Sequence, residues 1–152
     1  MQVRQNSSRK EDTPSIMSPM PLESWCWCGR CMIMPNLKEN SCCWSLKEAS
    51  ERRGEAACVT LVEGFEACCL NQEVLRMCMA RDRISRSLPP GVRNPQNIDY
   101  RHNAYANFIN WIFSHSSRPS VRIVIPSCCV LIIREHFPNP ADVPYVGFCD
   151  MY

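Results

Sequence analysis

Cysteine restricts this chain more than any other residue. Twelve occur in 152 positions, and three of them share the eight-residue run SWCWCGRC (24–31) with two tryptophans. Three adjacent pairs follow, Cys42-Cys43, Cys68-Cys69 and Cys128-Cys129. A cysteine share of about 8% approaches that of a small disulfide scaffold, so the redox compartment decides what the thiols do. Residues 1–24, MQVRQNSSRKEDTPSIMSPMPLES, contain no apolar stretch of the kind a secretory signal needs. The longest apolar stretch, IVIPSCCVLII (123–133), is too short to span a bilayer and holds a proline. The expectation is a cytoplasmic chain without a transmembrane segment, in which dense cysteine serves metal before disulfides. A disulfide-rich secreted protein is the alternative, and it requires a signal sequence.

The rest of the composition permits one packed domain. The hydrophobic share is 45% and the charged share 21%, both within the globular range. A formal net charge of +2 is too weak for a nucleic-acid binder. Residues 1–23 are polar and lack periodicity, which predicts a disordered lead-in. Residues 24–69 hold eight of the cysteines and show no sustained helical or strand period, as expected where metal ligands replace a core.

Periodicity returns further along. NQEVLRMCMARDRIS (71–85) places Val74, Leu75, Cys78 and Met79 on one stripe and predicts a helix. LPPGVRNPQN (88–97) breaks regular structure. IDYRHNAYANFINWIF (98–113) predicts a second helix, with Asp99 as its N-cap and Trp111 buried. VRIVIP (121–126) reads as a strand because it is β-branched and stops at proline. Ser127 then caps a short helix ended by Pro138, although a strand fits the same residues. The expected fold class is α+β: a small, irregular, zinc-organised domain with short helices and few strands over residues 24–150.

Two constellations carry chemistry. Cys28 and Cys31 have the C-x-x-C spacing that lets two thiolates reach one tetrahedral zinc. The adjacent pairs could serve two metals, or one metal and the core, and shared ligands would give a two-metal cluster. Cys78 on its apolar stripe reads as a packed thiol, and Cys26 as a spare one. In YRHNAY (100–105), Arg101, His102 and Tyr105 share a helix face. A cation, an imidazole and a phenol together can stack on a purine and touch its phosphates. The plainer alternative is a solvated helix side with Tyr105 in the core. No phosphate-binding glycine loop, zinc-protease motif or nucleophile elbow is present, so no enzyme activity is expected.

The blocks PLESWCWCGRC (21–31), CC (42–43), YRHNAYANFINWIF (100–113), VIPSCCVLIIREHFP (124–138) and YVGF (145–148) follow one another in order. Together they resemble the cytoplasmic C-terminal domain, called the ballast, of the seventh subtype of ATP-gated purinoceptor channel, and free-standing proteins built from that domain. The resemblance implies a two-zinc cluster held by cysteines and a bound guanine nucleotide, GDP or GTP. By position the implied metal ligands are Cys28, Cys31, Cys42, Cys43, Cys58, Cys128 and Cys129, with Cys68 or Cys69 as alternatives to Cys58. The implied guanine pocket uses Arg101, His102, Tyr105, Ile123 and Ile125, and Asn139 stands where the channel places a lysine. Without the channel's membrane spans, the chain reads as an interaction or regulatory module working through an unnamed protein partner. A nucleotide hydrolase built on the same pocket is the runner-up.

Overall fold

Helix supplies the regular structure of this protein. The structure, a computed structural model, describes residues 20–85, 94–115, 117 and 119–144. Among the described residues five helices follow in order: α1 (Lys47–Arg53), α2 (Glu63–Phe65), α3 (Gln72–Ser85), α4 (Asn97–Ile112) and α5 (Ser127–His136). α2 widens directly into a π-helical turn, Glu66–Leu70, and single 3-10 turns stand at Leu22–Ser24, Leu37–Glu39, Cys43–Ser45 and Val59–Leu61. No strand occurs among the described residues. The fold is therefore mainly helical, which corrects the expected α+β class.

The correction centres on VRIVIP. The segment leads up to Pro126 and leaves Ile123 and Ile125 packed on the core as alternate residues do in a strand. Its β-branched side chains fit a half-buried extended chain, but no neighbouring extended segment pairs with it among the described residues. A strand needs a ladder as well as a propensity.

α4 is the central element. Its start is a capping box: Gln96 is the N-cap, and Asp99, at the third helical position, accepts from the Gln96 N–H at 2.8 Å. Asp99 thus works one turn inside the helix, not at its cap. Tyr100, Ala104, Phe108 and Ile112 recur at helical spacing and are buried. Phe65 meets Phe108 edge-on with ring centroids 6.0 Å apart and Trp111 at 6.4 Å. Trp111 is half-buried, not buried, with the Arg52 guanidinium 5.3 Å from its ring. Arg52 also donates to the Trp111 carbonyl through Nε (3.1 Å) and an Nη (2.8 Å).

Two long-range ties complete the frame. Asn107 Nδ2 donates to the Cys68 carbonyl in the π turn at 2.8 Å, and Tyr100 stacks on Phe137 at 5.0 Å and 15°. α5 starts after Pro126, so Ser127 is its first residue and not its cap. The Ser127 hydroxyl instead clips the Met32 backbone, accepting from its N–H at 3.0 Å and donating to its carbonyl at 2.9 Å. Of the expected lead-in 1–23, residues 1–19 lie outside the described residues, and Leu22 and Glu23 begin a 3-10 turn. Residues 88–93 of the expected loop, the YVGF block and Cys149 also lie outside them.

Candidate metal centre and neighbouring cavity

The Cys28-Gly29-Arg30-Cys31 turn shows how the local chain gathers thiols. Gly29 takes φ +80°, a left-handed conformation that side chains other than glycine's disfavour. The turn brings the Sγ atoms of Cys28 and Cys31 to 3.8 Å, and the Arg30 N–H points at Cys28 Sγ at 3.4 Å. Cys26 Sγ stands 4.0 Å from Cys28 Sγ. A disulfide would need about 2.05 Å, and these cysteines are free thiols.

Two four-thiol groups result. Cys26, Cys28, Cys31 and Cys42 form one, and Cys28, Cys43, Cys58 and Cys128 form the other; within each group every Sγ lies within 4.8 Å of the rest. Cys28 belongs to both. Bonds of about 2.3 Å to a tetrahedral zinc set sulfurs about 3.8 Å apart, close to the separations around Cys28. Further backbone N–H groups point at the sulfurs, from Trp27 to Cys42 and from Val59 to Cys43, each at 3.4 Å. Such donors favour a thiolate. The donor set therefore fits two soft divalent ions joined through one bridging thiolate.

Proton distribution within the groups follows from crowding. A hydrogen bond from Cys128 holds the Cys28 thiol down to about 5. The same donor, with help from Cys43, holds Cys58 at about 2. Cys31 is lowered as well, first by Cys128. Cys128 is pushed far up, because the sulfurs of Cys129, Cys28, Cys31 and Cys43 crowd around its single thiol proton. Cys42 is raised to about 11 by burial. Cys43 is also raised: Cys128 pulls it down, but its bond with Cys58 and its burial outweigh that. So many sulfurs in contact cannot all ionise without a cation among them.

Of the seven cysteines the resemblance implies, six fall in the two groups, including Cys58. Cys129 lies outside both and is fully buried in the core. Cys68 and Cys69 also lie outside them, Cys69 wholly buried in the π turn. Cys26, which reads from the sequence as a spare thiol, falls in the first group. Its C-x-C-x-x-C spacing was the available signal.

A cavity of about 590 Å³ opens beside the centre, between α4, the 119–125 segment and the Leu37–Glu39 turn. His102, Tyr105, Ile109, Ile123, Ile125 and Val130 line it together with Glu39 and Arg122. Arg101 and Asn139 are not in its lining. Arg101 donates to the Phe137 carbonyl at 2.6 Å, at the end of α5, and Asn139 follows Pro138, whose carbonyl accepts from Asn97 Nδ2 at 3.0 Å. The sequence singled out neither Glu39 nor Arg122 as a cavity residue.

No helix among the described residues is long and apolar enough to cross a membrane. A family model described as the P2X purinoreceptor 7 intracellular domain matches residues 1–149. P2X purinoceptor 7 of Rattus norvegicus is 32% identical over 124 residues, which cover 82% of this chain and 20% of that protein. The Mus musculus protein of the same name is 28% identical over 127 residues, again 82% of this chain and 20% of the relative. The chain spans about a fifth of the length of these curated relatives. With cysteine blocks, central helix and family match in agreement over nearly its whole length, the chain belongs to the P2X purinoreceptor 7 intracellular domain family.

Proposed function

We propose that this protein is a zinc-organised, guanine-nucleotide-binding regulatory module of the cytoplasm, acting through a protein partner and carrying no catalytic role. The observation that supports it most is the pair of buried four-thiol groups sharing Cys28. Zinc held there would tie the Cys26–Cys31 loop, the Cys42-Cys43 turn, Cys58 and the first turn of α5 into one unit, contributing folding free energy directly. The chemistry such ions supply is structural, because four thiolates leave no open position for a substrate.

The cavity supports the nucleotide half of the reading. An aromatic ring and an imidazole on α4 offer stacking surfaces, and the apolar 123–125 segment offers a second wall with backbone polar groups. The positive side chains near it, Arg122 in the lining and Arg101 next to His102 on α4, favour phosphates. Metal analysis of protein purified under reducing conditions, with calorimetry against guanosine diphosphate on the same sample, tests both halves. Two zinc ions per chain and a bound nucleotide are expected. A fully folded, zinc-free protein overturns the metal reading, and absence of binding at millimolar nucleotide overturns the other. Turnover of the nucleotide on that sample would overturn the non-catalytic assignment.

A further inference from the structure

The two four-thiol groups differ in how far solvent reaches them. In the group of Cys28, Cys43, Cys58 and Cys128 every thiol is buried, Cys43 and Cys58 completely. Its sulfurs come from the 28–31 loop, the Cys43–Ser45 turn, the residue before the Val59–Leu61 turn and the first turn of α5. In the other group Cys31 and Cys42 are buried as well, but Cys26 is only half-buried. Its neighbour Trp27 is 68% exposed, and Gly29 and Arg30 are exposed too. Water and a competing ligand therefore approach the first group from the Cys26 side.

The tethers differ in the same sense. Cys31 is held from its far side, because the Ser127 hydroxyl clips the next residue, Met32, at 3.0 and 2.9 Å. Cys28 is held by its place in both groups. The Cys26 N–H bonds to the Leu22 carbonyl at 2.9 Å, in the short Leu22–Ser24 turn just before it. Cys26 can thus swing outward with that turn while Cys28, Cys31 and Cys42 stay in place. Freeing Cys58 or Cys128 means parting α5 from the turns packed against it. Openings confined to a short exposed segment are far cheaper than those that separate core elements. We infer that the two positions differ in role: the Cys26 position is an exchangeable zinc site, opened by Cys26, and the Cys43, Cys58 and Cys128 position is structural. With Cys26 swung out, three preset thiols remain for the next ion, and the second position keeps its own four. Occupancy of the Cys26 position then follows the zinc supply while the fold stays intact. This inference rests on the metal half of the reading above and adds its regulation.

The test is transfer of zinc from the full, zinc-loaded chain to a chromophoric chelator, with far-ultraviolet circular dichroism on the same sample. One zinc per chain is expected to transfer about a hundredfold or more faster than the other, with the helical signal retained, and added zinc should refill that position. The second ion should leave only together with the helical signal. Cys26→Ser is expected to lose the fast phase and keep the slow one, with the helical signal of the wild type. Release of both ions in a single phase, or loss of helix with the first ion, overturns the inference and leaves zinc binding standing. A fast phase of unchanged amplitude in Cys26→Ser overturns the role of Cys26. Fewer than two zinc ions on the wild type overturns the metal reading itself. The wild-type kinetics decide the matter even if Cys26→Ser fails to fold.

Discussion

Trp111 lies so close over Gly64 that a Cβ added to the glycine would stand 2.8 Å from its Cζ2 and 3.2 Å from its Nε1. The ring cannot retreat easily, because Phe65 and Phe108 abut it and Arg52 covers it from outside. Gly64→Ala should therefore destabilise the protein by about 1–3 kcal/mol, the usual cost of overpacking. A urea titration followed by tryptophan fluorescence measures it. An unchanged midpoint would show that the indole shifts freely.

Metal content should separate the cysteines by group. Cys28→Ser touches both four-thiol groups and should lose most of the zinc, whereas Cys26→Ser and Cys58→Ser should each affect one ion. Cys128→Ser should behave like Cys58→Ser. Cys129→Ala, outside both groups, should leave zinc stoichiometry intact and lower stability only through a small cavity. Equal zinc loss from Cys128→Ser and Cys129→Ala would refute the grouping.

Zinc affinity should rise with pH. Cys42, raised to about 11 by burial, and Cys128, raised by the sulfurs of Cys129 and its other neighbours around it, hold protons at neutral pH. Cys28, held near 5 by Cys128, does not. Metal binding must expel the retained protons, so acid competes with zinc and base favours it. Each proton released contributes about a tenfold change in affinity per pH unit. Competition with a chromophoric chelator at pH 6.0 and 7.5 reads the slope, and a flat profile contradicts the proton inventory.

Arg101 and Arg122 should differ in what their removal does. Arg101→Ala removes the 2.6 Å bond to the Phe137 carbonyl and should cost about 1–2 kcal/mol in stability, leaving the dependence of nucleotide affinity on phosphate number nearly unchanged. Arg122→Ala should leave stability nearly unchanged and weaken guanosine diphosphate far more than guanosine. Thermal melts and calorimetry on both variants distinguish them. If Arg101→Ala alone abolishes the phosphate dependence, the charge acts from α4 instead.

The helices were legible in the sequence wherever their apolar residues recur at three- and four-residue spacing. The predicted 71–85 and 98–113 became Gln72–Ser85 and Asn97–Ile112, because Leu75, Tyr100 and Phe108 had to share one side. VRIVIP misled because β-branching and a closing proline mark an extended, half-buried segment, and say nothing about whether a partner strand exists. His102, Tyr105, Ile123 and Ile125 line one cavity. Arg101 has their helical spacing, yet its long side chain reaches the end of α5. Glu39 was obscure because the cavity it lines is built by residues 102–130, far along the chain, and local pattern carries no trace of it.

The sharing of Cys28 has a consequence for how the protein is made. A chain leaves the ribosome N-terminus first, and the group of Cys26, Cys28, Cys31 and Cys42 has its last thiol once residue 42 has emerged. The second group then waits with three of its sulfurs, Cys28, Cys43 and Cys58, until Cys128 is synthesised. Throughout that interval the nascent chain has one complete tetrahedral donor set joined to one incomplete set. If the groups take up metal, occupancy would thereby be ordered in time, the N-terminal position first, and a truncation anywhere between residues 58 and 128 would leave the second donor set incomplete.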